Sequence, residues 1–199
     1  VITGLKIEGR EMADRKPFIV GMGGTTRPGS SSEQALAMAL AHCESLGAET
    51  KLYGGAALTL PMYDPDPGNM TDAARHLIED LRRADGVILS SPCYHGGVSG
   101  LIKNAIDYTE EMRADDRVYF HGRAIGAIGC GYGNQGPNTV LAQLRQIGHA
   151  LRGWNVPLGV AVNSAEVKFK DGECSAEGIA GQIRIMAAQV VEFSSNFMR

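Results

Sequence analysis

The sequence predicts a doubly wound α/β domain: a five-stranded parallel sheet in the order 2-1-3-4-5, with helices on both faces. Three observations predict it. Apolar runs too short for helices alternate with longer stretches of helical periodicity. A length of 199 residues suits one domain, at about 150 residues per domain. Glycine makes up 26 of those residues, about twice its usual share of roughly 7%, and it gathers in the connections that follow strands.

Phe18–Met22 is a short apolar run, long enough for a strand and too short for a helix. After a loop of Gly, Thr and Ser, Glu33–Leu46 carries Leu36, Leu40 and Cys43 at helical spacing. Thr50–Tyr53 predicts a second strand. Leu58–Met70 holds Pro61, Pro65, Pro67 and Gly68 and reads as loop. Thr71 or Asp72 caps a helix whose stripe is Leu77, Ile78 and Leu81, ending near Ala84. Gly86–Ser90 predicts a buried third strand, and Leu101–Met112 a helix through Leu101, Ile102, Ala105 and Ile106. Arg123–Gly129 predicts the fourth strand, Thr139–Leu151 a helix and Val156–Val162 the fifth strand. Val167–Glu173 is a charged turn, and Ser175–Phe197 a closing helix of about six turns. Strands alternating with helices give a parallel sheet covered on both faces, and five of them in an open sheet favour the flavodoxin-like order.

Residues 1–16 show no clean period, and Ile7-Glu8-Gly9-Arg10 spells a tag-removal protease site. They are set apart as an N-terminal extension or an expression remnant with Met12 as the native start, and residues 17–199 are taken as the domain. The first dozen residues carry charges in place of an apolar signal core. No apolar run nears the roughly 20 residues that span a bilayer. With 19 basic and 22 acidic side chains the net charge is −3, without the concentrated basic face that nucleic acid requires. Cys43, Cys93, Cys130 and Cys174 form no CxxC pair, so neither a zinc site nor a disulfide framework is expected. The expectation is a cytoplasmic protein with no nucleic-acid or membrane partner.

Ligands of open parallel sheets sit beyond the carboxyl ends of the strands. The loops after strands one, three and four lie on that edge, and these are the glycine-rich ones. The first, Gly23–Ser32, offers hydroxyls, the Arg27 guanidinium and free backbone N–H groups where a helix begins, a setting suited to phosphate. It lacks the Lys-Ser/Thr ending of a nucleotide triphosphatase loop. Its blander reading is a serine helix cap beside a solvated arginine. The second, Ser90–Gly97, combines Pro92, Tyr94, Gly96 and Gly97, a planar face with exposed backbone for a flat heteroaromatic ring. Cys93 reads there as a space-filler and His95 as a turn residue. The third, Gly129–Gly136, contains GxGxxG at Gly131, Gly133 and Gly136. It follows the fourth strand rather than the first, and no acidic residue closes a following strand. It therefore reads as backbone lining for the same planar ligand and not as a dinucleotide fingerprint.

Gly24-Thr25-Thr26-Arg27-Pro28-Gly29-Ser30-Ser31-Ser32, Ser91-Pro92-Cys93-Tyr94-His95-Gly96 and Lys103-Asn104-Ala105-Ile106-Asp107-Tyr108 together resemble the NAD(P)H-dependent FMN reductase family. Azoreductase-like, quinone- and chromate-reducing proteins are among its members. Leu60-Pro61-Met62-Tyr63 adds to the likeness, which runs from about Pro17 into the C-terminal helix. The resemblance implies that Thr25, Arg27, Ser30 and Ser32 hold the FMN phosphate. Pro92, Cys93, Tyr94, His95 and Gly96 would border the isoalloxazine, and Gly129, Gly131, Tyr132 and Gly133 would cover its other edge. It implies FMN as cofactor and hydride transfer from NADPH or NADH to the flavin. Electrons then pass to a small acceptor such as free FMN, a quinone, an azo dye or a metal oxyanion. A homodimer or homotetramer and a flavin-dependent monooxygenase partner are further implications. No dedicated catalytic side chain is expected. Cys93 stands where the family usually has Glu, His95 where it has Asn, and Ser32 where it has Asn, so the charge near the ring differs. The competing readings are a non-enzymatic flavodoxin-type carrier and a sensor or scaffold that has lost its flavin.

Overall fold

In the computed structural model, which describes residues 15–170 and 172–197, β1 (Phe18–Gly23) is buried along its whole length. A strand covered on both faces has no polar side to present, which is why FIVGMG is apolar throughout. β1 pairs in parallel with β2 (Glu49–Tyr53) on one side and β3 (Gly86–Tyr94) on the other. The end of β3 turns back as a short antiparallel strand, β4 (Gly97–Val98). Its body pairs in parallel with β5 (Ala124–Gly131), and β5 pairs with β6 (Trp154–Asn155) and β7 (Val160–Asn163).

The order across the sheet is β2-β1-β3-β5-β6, with β7 also on β5. This is the doubly wound, flavodoxin-like arrangement, with two corrections of detail. Of the expected fifth strand, Val156–Val162, only Val160–Val162 is strand, within β7, and β6 lies just ahead of it at Trp154–Asn155. Pro157 has no N–H for a ladder, and the Leu158 N–H donates instead to Gln189 Oε1 at 3.0 Å. Where the sequence predicts only a charged turn, β8 (Phe169–Lys170) and β9 (Glu173–Cys174) pair as a small antiparallel sheet.

Among the described residues, five α-helices cover the faces. Alternation along β1 sends Val20 and Met22 to one side. There they join Leu77 and Leu81 of α2 (Asp72–Arg83), Ile102 of α3 (Gly100–Asp107) and Leu144 of α4 (Gln135–Ala150). Ile19 points the other way, to Leu36 and Leu40 of α1 (Ser31–Ser45) and Met186 and Val190 of α5 (Glu177–Phe197). Thr71 caps α2, its hydroxyl accepting from Ala74 N–H at 3.3 Å. α3 stops at Asp107 and continues as a 3₁₀ turn over Tyr108–Met112. Asn104 of α3 accepts from the Tyr63 N–H at 2.8 Å and donates to the Pro61 carbonyl at 2.8 Å. The two outlying motifs, Leu60–Tyr63 and Lys103–Tyr108, are therefore stapled to each other.

The pole opposite the glycine-rich loops is held by buried charge. Arg123 is fully buried and donates to the carbonyls of Leu81, Arg82 and Tyr119 at 3.0, 2.8 and 2.7 Å. It thereby satisfies the last turn of α2, whose carbonyls have no helical partner. Burial, with Arg117 nearby, pulls its guanidinium down to about 9, so it remains a cation at neutral pH. Asp85, also buried, accepts from both guanidinium nitrogens of Arg15 at 2.6 and 2.7 Å and from the Phe18 N–H at 2.9 Å. Residues 1–14, including Ile7–Arg10 and Met12, lie outside the described residues. Breaking a buried pair costs about 3–5 kcal/mol, but the Arg15 side chain is 44% exposed, which calls for a discount. Asp85→Ala is therefore expected to cost about 2 kcal/mol. Thermal unfolding followed by circular dichroism should show a midpoint lower by roughly 4–8 °C.

Candidate active site

Three loops meet at the carboxyl edge of the sheet. After β1, Gly24 takes φ +110°, a conformation open to glycine, and Thr25–Gly29 leads into α1. Thr25 Oγ1 accepts from the Arg27 N–H at 3.1 Å. Ser30 caps α1, its hydroxyl accepting from the Glu33 N–H at 3.4 Å and lying 3.3 Å from Ser32 Oγ. Ser90 Oγ donates to the Ser32 carbonyl at 2.8 Å, fixing the first turn of α1 to β3. The loop is braced from behind by Gly55, where a methyl group would lie only 1.6 Å from the Thr25 carbonyl oxygen. Arg27 is exposed, and among the described residues its guanidinium has no carboxylate partner.

β3 supplies the second wall. Its ladder with β5 ends at Pro92 opposite Cys130. Cys93 and Tyr94 run on beyond it, and the chain reverses at His95 and Gly96, with φ +52° and +82°. Two central residues with positive φ make this a tight hairpin turn. Ser91 Oγ accepts from the Ser99 N–H at 3.0 Å at the hairpin's base. The third wall is the end of β5 and the short bend into α4. Tyr132 is 83% exposed there, and the Gly133 N–H donates to Asn163 Oδ1 at 2.9 Å. Helix α4 begins at Gln135, ahead of the predicted Thr139, so Gly136 is helical and not loop.

Together these segments enclose an open cleft of about 360 Å³, within the range of about 300–1,000 Å³ typical of cofactor sites. Of the residues expected here, Thr25, Arg27, Ser30, Ser32, Pro92, Cys93, Tyr94, Gly131 and Tyr132 line it. His95, Gly96, Gly129 and Gly133 do not. His95 and Gly96 form the hairpin tip, Gly133 bends the third loop with φ +77°, and Gly129 lies under α4. A Cβ on Gly129 would be 2.2 Å from the Pro137 carbonyl oxygen. Thr26, Ser31, Cys130 and Ser164 line the cleft in addition. Thr26 and Ser31 adjoin expected residues and Cys130 lies within the third loop, so continuity along the chain would have found them. Ser164 carries no local signal. It arrives through β7, its N–H donating to the Gly131 carbonyl at 2.8 Å.

Among the described residues, Arg27 is the one lining residue of a type that carries charge at neutral pH. Burial pushes the Cys130 thiol up to about 12, which leaves it protonated and inert. All four cysteines are free, and no group of three His, Cys, Asp or Glu among the described residues is placed to hold a metal. One side of the cleft thus offers a cation, hydroxyls and helix N–H groups. The other offers exposed rings and backbone. The profile of the family described as NADPH-dependent FMN reductase matches residues 17–167, a span that includes all three loops.

The chain belongs to that family. As an FMN reductase family member it is an oxidoreductase that works with FMN and NAD(P)H. It is similar to an FMN-dependent NADPH-azoreductase of Staphylococcus aureus (strain USA300), with 33% identity over 141 residues and 69% of each chain covered. Solved structures show the shared fold. A flavoenzyme NAD(P)H:(acceptor) oxidoreductase from Paracoccus denitrificans superposes with a TM-score of 0.66 at 20% identity, covering 91% of this chain and 98% of that one. A flavodoxin from Streptococcus pneumoniae TIGR4 gives 0.59 at 12% identity, covering 88% and 98%. Among the described residues, no helix is long and apolar enough to cross a membrane.

Proposed function

We propose that this FMN reductase family member holds FMN in the cleft and passes electrons from NAD(P)H to a small planar acceptor. Free FMN, a quinone or an azo compound would enter through the cleft's open side. One observation carries the reading: a single cleft joins an anion-binding helix start to an aromatic rim. The donor set fits the cofactor. Arg27, the hydroxyls of Thr25 and Ser30 to Ser32 and the first N–H groups of α1 are arranged as a phosphate monoester requires. Pro92, Cys93 and Tyr94 lie beside Gly131 and Tyr132 at the ends of neighbouring strands, a lining of exposed backbone and rings suited to a flat ring.

Bound FMN supplies the ring that accepts hydride and gives up electrons. The chain's own part is binding, orientation and exclusion of water. Tyr94 and Tyr132, 55% and 83% exposed, offer planar faces at the rim. With Cys93 where the family usually has Glu, no carboxylate among the described residues lines the cleft, so anionic acceptors meet no carboxylate of those residues there. Among the described residues no His, Asp, Glu or Lys lines the cleft, which suits hydride chemistry. A homodimer or homotetramer, and a monooxygenase that takes up reduced flavin, belong to the same reading. Light scattering of the holoprotein tests the assembly.

The decisive assay is anaerobic addition of NADPH or NADH to the yellow holoprotein, followed by free FMN, a quinone or an azo dye. The flavin should bleach within seconds and regain its colour with at least one acceptor. A flavin that stays oxidised under excess NAD(P)H would instead favour a flavodoxin-type carrier.

A further inference from the structure

We infer that Gln143 of α4 is a positioning residue that sets where Tyr94 stands on the acceptor side of the cleft by clamping the hairpin that carries it. The inference rests on the reading of the cleft as the acceptor site. The β3–β5 ladder stops at Pro92 opposite Cys130, so Cys93 and Tyr94 have left the sheet. Their ladder partners are Val98 and Gly97 of β4. A two-stranded hairpin of that size is marginal in water. The turn adds little, since His95 occupies a positive-φ position that Asn or Gly fills more readily. Cys93 and Val98 pack against the core and hold the hairpin's base, which leaves its tip in need of a further tie.

Gln143 supplies that tie with both ends of its amide. Its Oε1 accepts from the Val98 N–H at 3.0 Å, and its Nε2 donates to the Gly96 carbonyl at 3.1 Å. Two bonds on either side of Gly97 fix both the position and the rotation of the returning strand. The clamp's base is firm, because α4 sits directly on β5 at Gly129. Gly136, about two turns earlier on the same face of α4, is also against the hairpin. A Cβ there would lie 2.9 Å from Cys93 Sγ. Since α4 follows directly from β5 and Tyr132, Gln143 ties the Tyr94 hairpin to the element that carries Tyr132. The Tyr94 ring is more than half exposed, so backbone placement, rather than packing, decides where it stands. Gln143 itself does not line the cleft and acts through the hairpin.

Without the amide the hairpin samples splayed positions, and apparent acceptor affinity falls by the fraction that remains closed. The FMN phosphate cradle lies on another loop and keeps its grip. In the holoprotein, Gln143→Met is expected to raise the KM for a quinone acceptor about tenfold, with kcat within about twofold and a smaller rise, about threefold, in the Kd for FMN, whose ring the hairpin borders while its phosphate stays held. Amide hydrogen exchange at Val98 should quicken at least about tenfold. Gln143→Glu keeps the bond from the Val98 N–H but sets a carboxylate oxygen against the Gly96 carbonyl, so it too should raise KM and quicken Val98 exchange. It also serves if the Met variant folds poorly. Adding His95→Asn to either variant, which favours the turn, should recover part of the loss, as a purely structural defect elsewhere would not. Faster Val98 exchange with an unchanged acceptor KM overturns the clamp and leaves the oxidoreductase reading intact. Unchanged Val98 exchange overturns it as well. A wild-type holoprotein that reduces no acceptor overturns the underlying reading, and the clamp's proposed purpose with it.

Discussion

Arg27→Ala is expected to weaken FMN binding by roughly tenfold to a hundredfold while leaving riboflavin binding within about twofold. A hydrogen bond to a charged group is worth about 1.5–3 kcal/mol, and each 1.4 kcal/mol is about a factor of ten. Arg27 lies at an exposed rim, which argues for the lower half of that range, particularly at high salt. Two features keep the effect from vanishing. Among the described residues no carboxylate competes for the guanidinium, so its charge is free for the ligand. The remaining donors, Ser30 to Ser32 and the start of α1, cannot replace a full positive charge, because a helix end contributes only about 0.3–2 kcal/mol. Riboflavin lacks the phosphate and so provides the control. Fluorescence titration of the apoprotein with each flavin measures both constants. Equal losses for the two flavins would mean that the substitution had disturbed the ring site or the fold. Arg27→Lys should recover only part of the affinity, since an ammonium keeps the charge without the planar fork.

Much of the sheet was legible because its central strands are buried on both faces and therefore read as unbroken apolar runs. β1 and β5 needed no other signal, and Thr71 announced α2 by residue type alone. What escaped the sequence depends on distant partners. β3 continues past Ser90 because β5 pairs with it as far as Pro92 and Gly97 and Val98 then return beside Cys93 and Tyr94, and nothing in SPCY is apolar enough to say so. Helix α4 starts at Gln135 although Gly136-Pro137 resembles a loop. Proline is well tolerated in a first helical turn, where its missing N–H would have had no partner. The break at Pro157 is visible as a proline, but its repair by Gln189 comes from α5. The site divides along the same line. Thr25, Arg27 and Ser30 share one contiguous loop with one chemical character, whereas Ser164 reaches the cleft only because β7 pairs with β5.

Gly129 separates two meanings that one residue type carries in a sequence. A glycine outside positive φ signals close approach by some other body, and sequence does not say whether that body is a ligand or a helix. The resemblance to FMN reductases assigns Gly129 to the flavin's edge, while the structure sets α4 against it. A Cβ would fall 2.2 Å from the Pro137 carbonyl oxygen and 2.9 Å from the Leu141 nitrogen. Both are helix backbone and cannot swing aside like a side-chain tip. Gly129→Ala must therefore lift α4 from β5, and such overpacking costs about 1–3 kcal/mol. In the apoprotein this predicts a thermal midpoint lower by roughly 3–10 °C. The loss should persist at saturating FMN, because ligand binding adds the same stabilisation to both proteins unless their affinities differ. Gly133→Ala provides the contrast: its site is open and only the positive φ opposes a side chain, so a loss of about 1 kcal/mol is expected. If wild-type and Gly129→Ala apoproteins melted together and diverged only when FMN was added, the glycine would belong to the ligand and not to the helix.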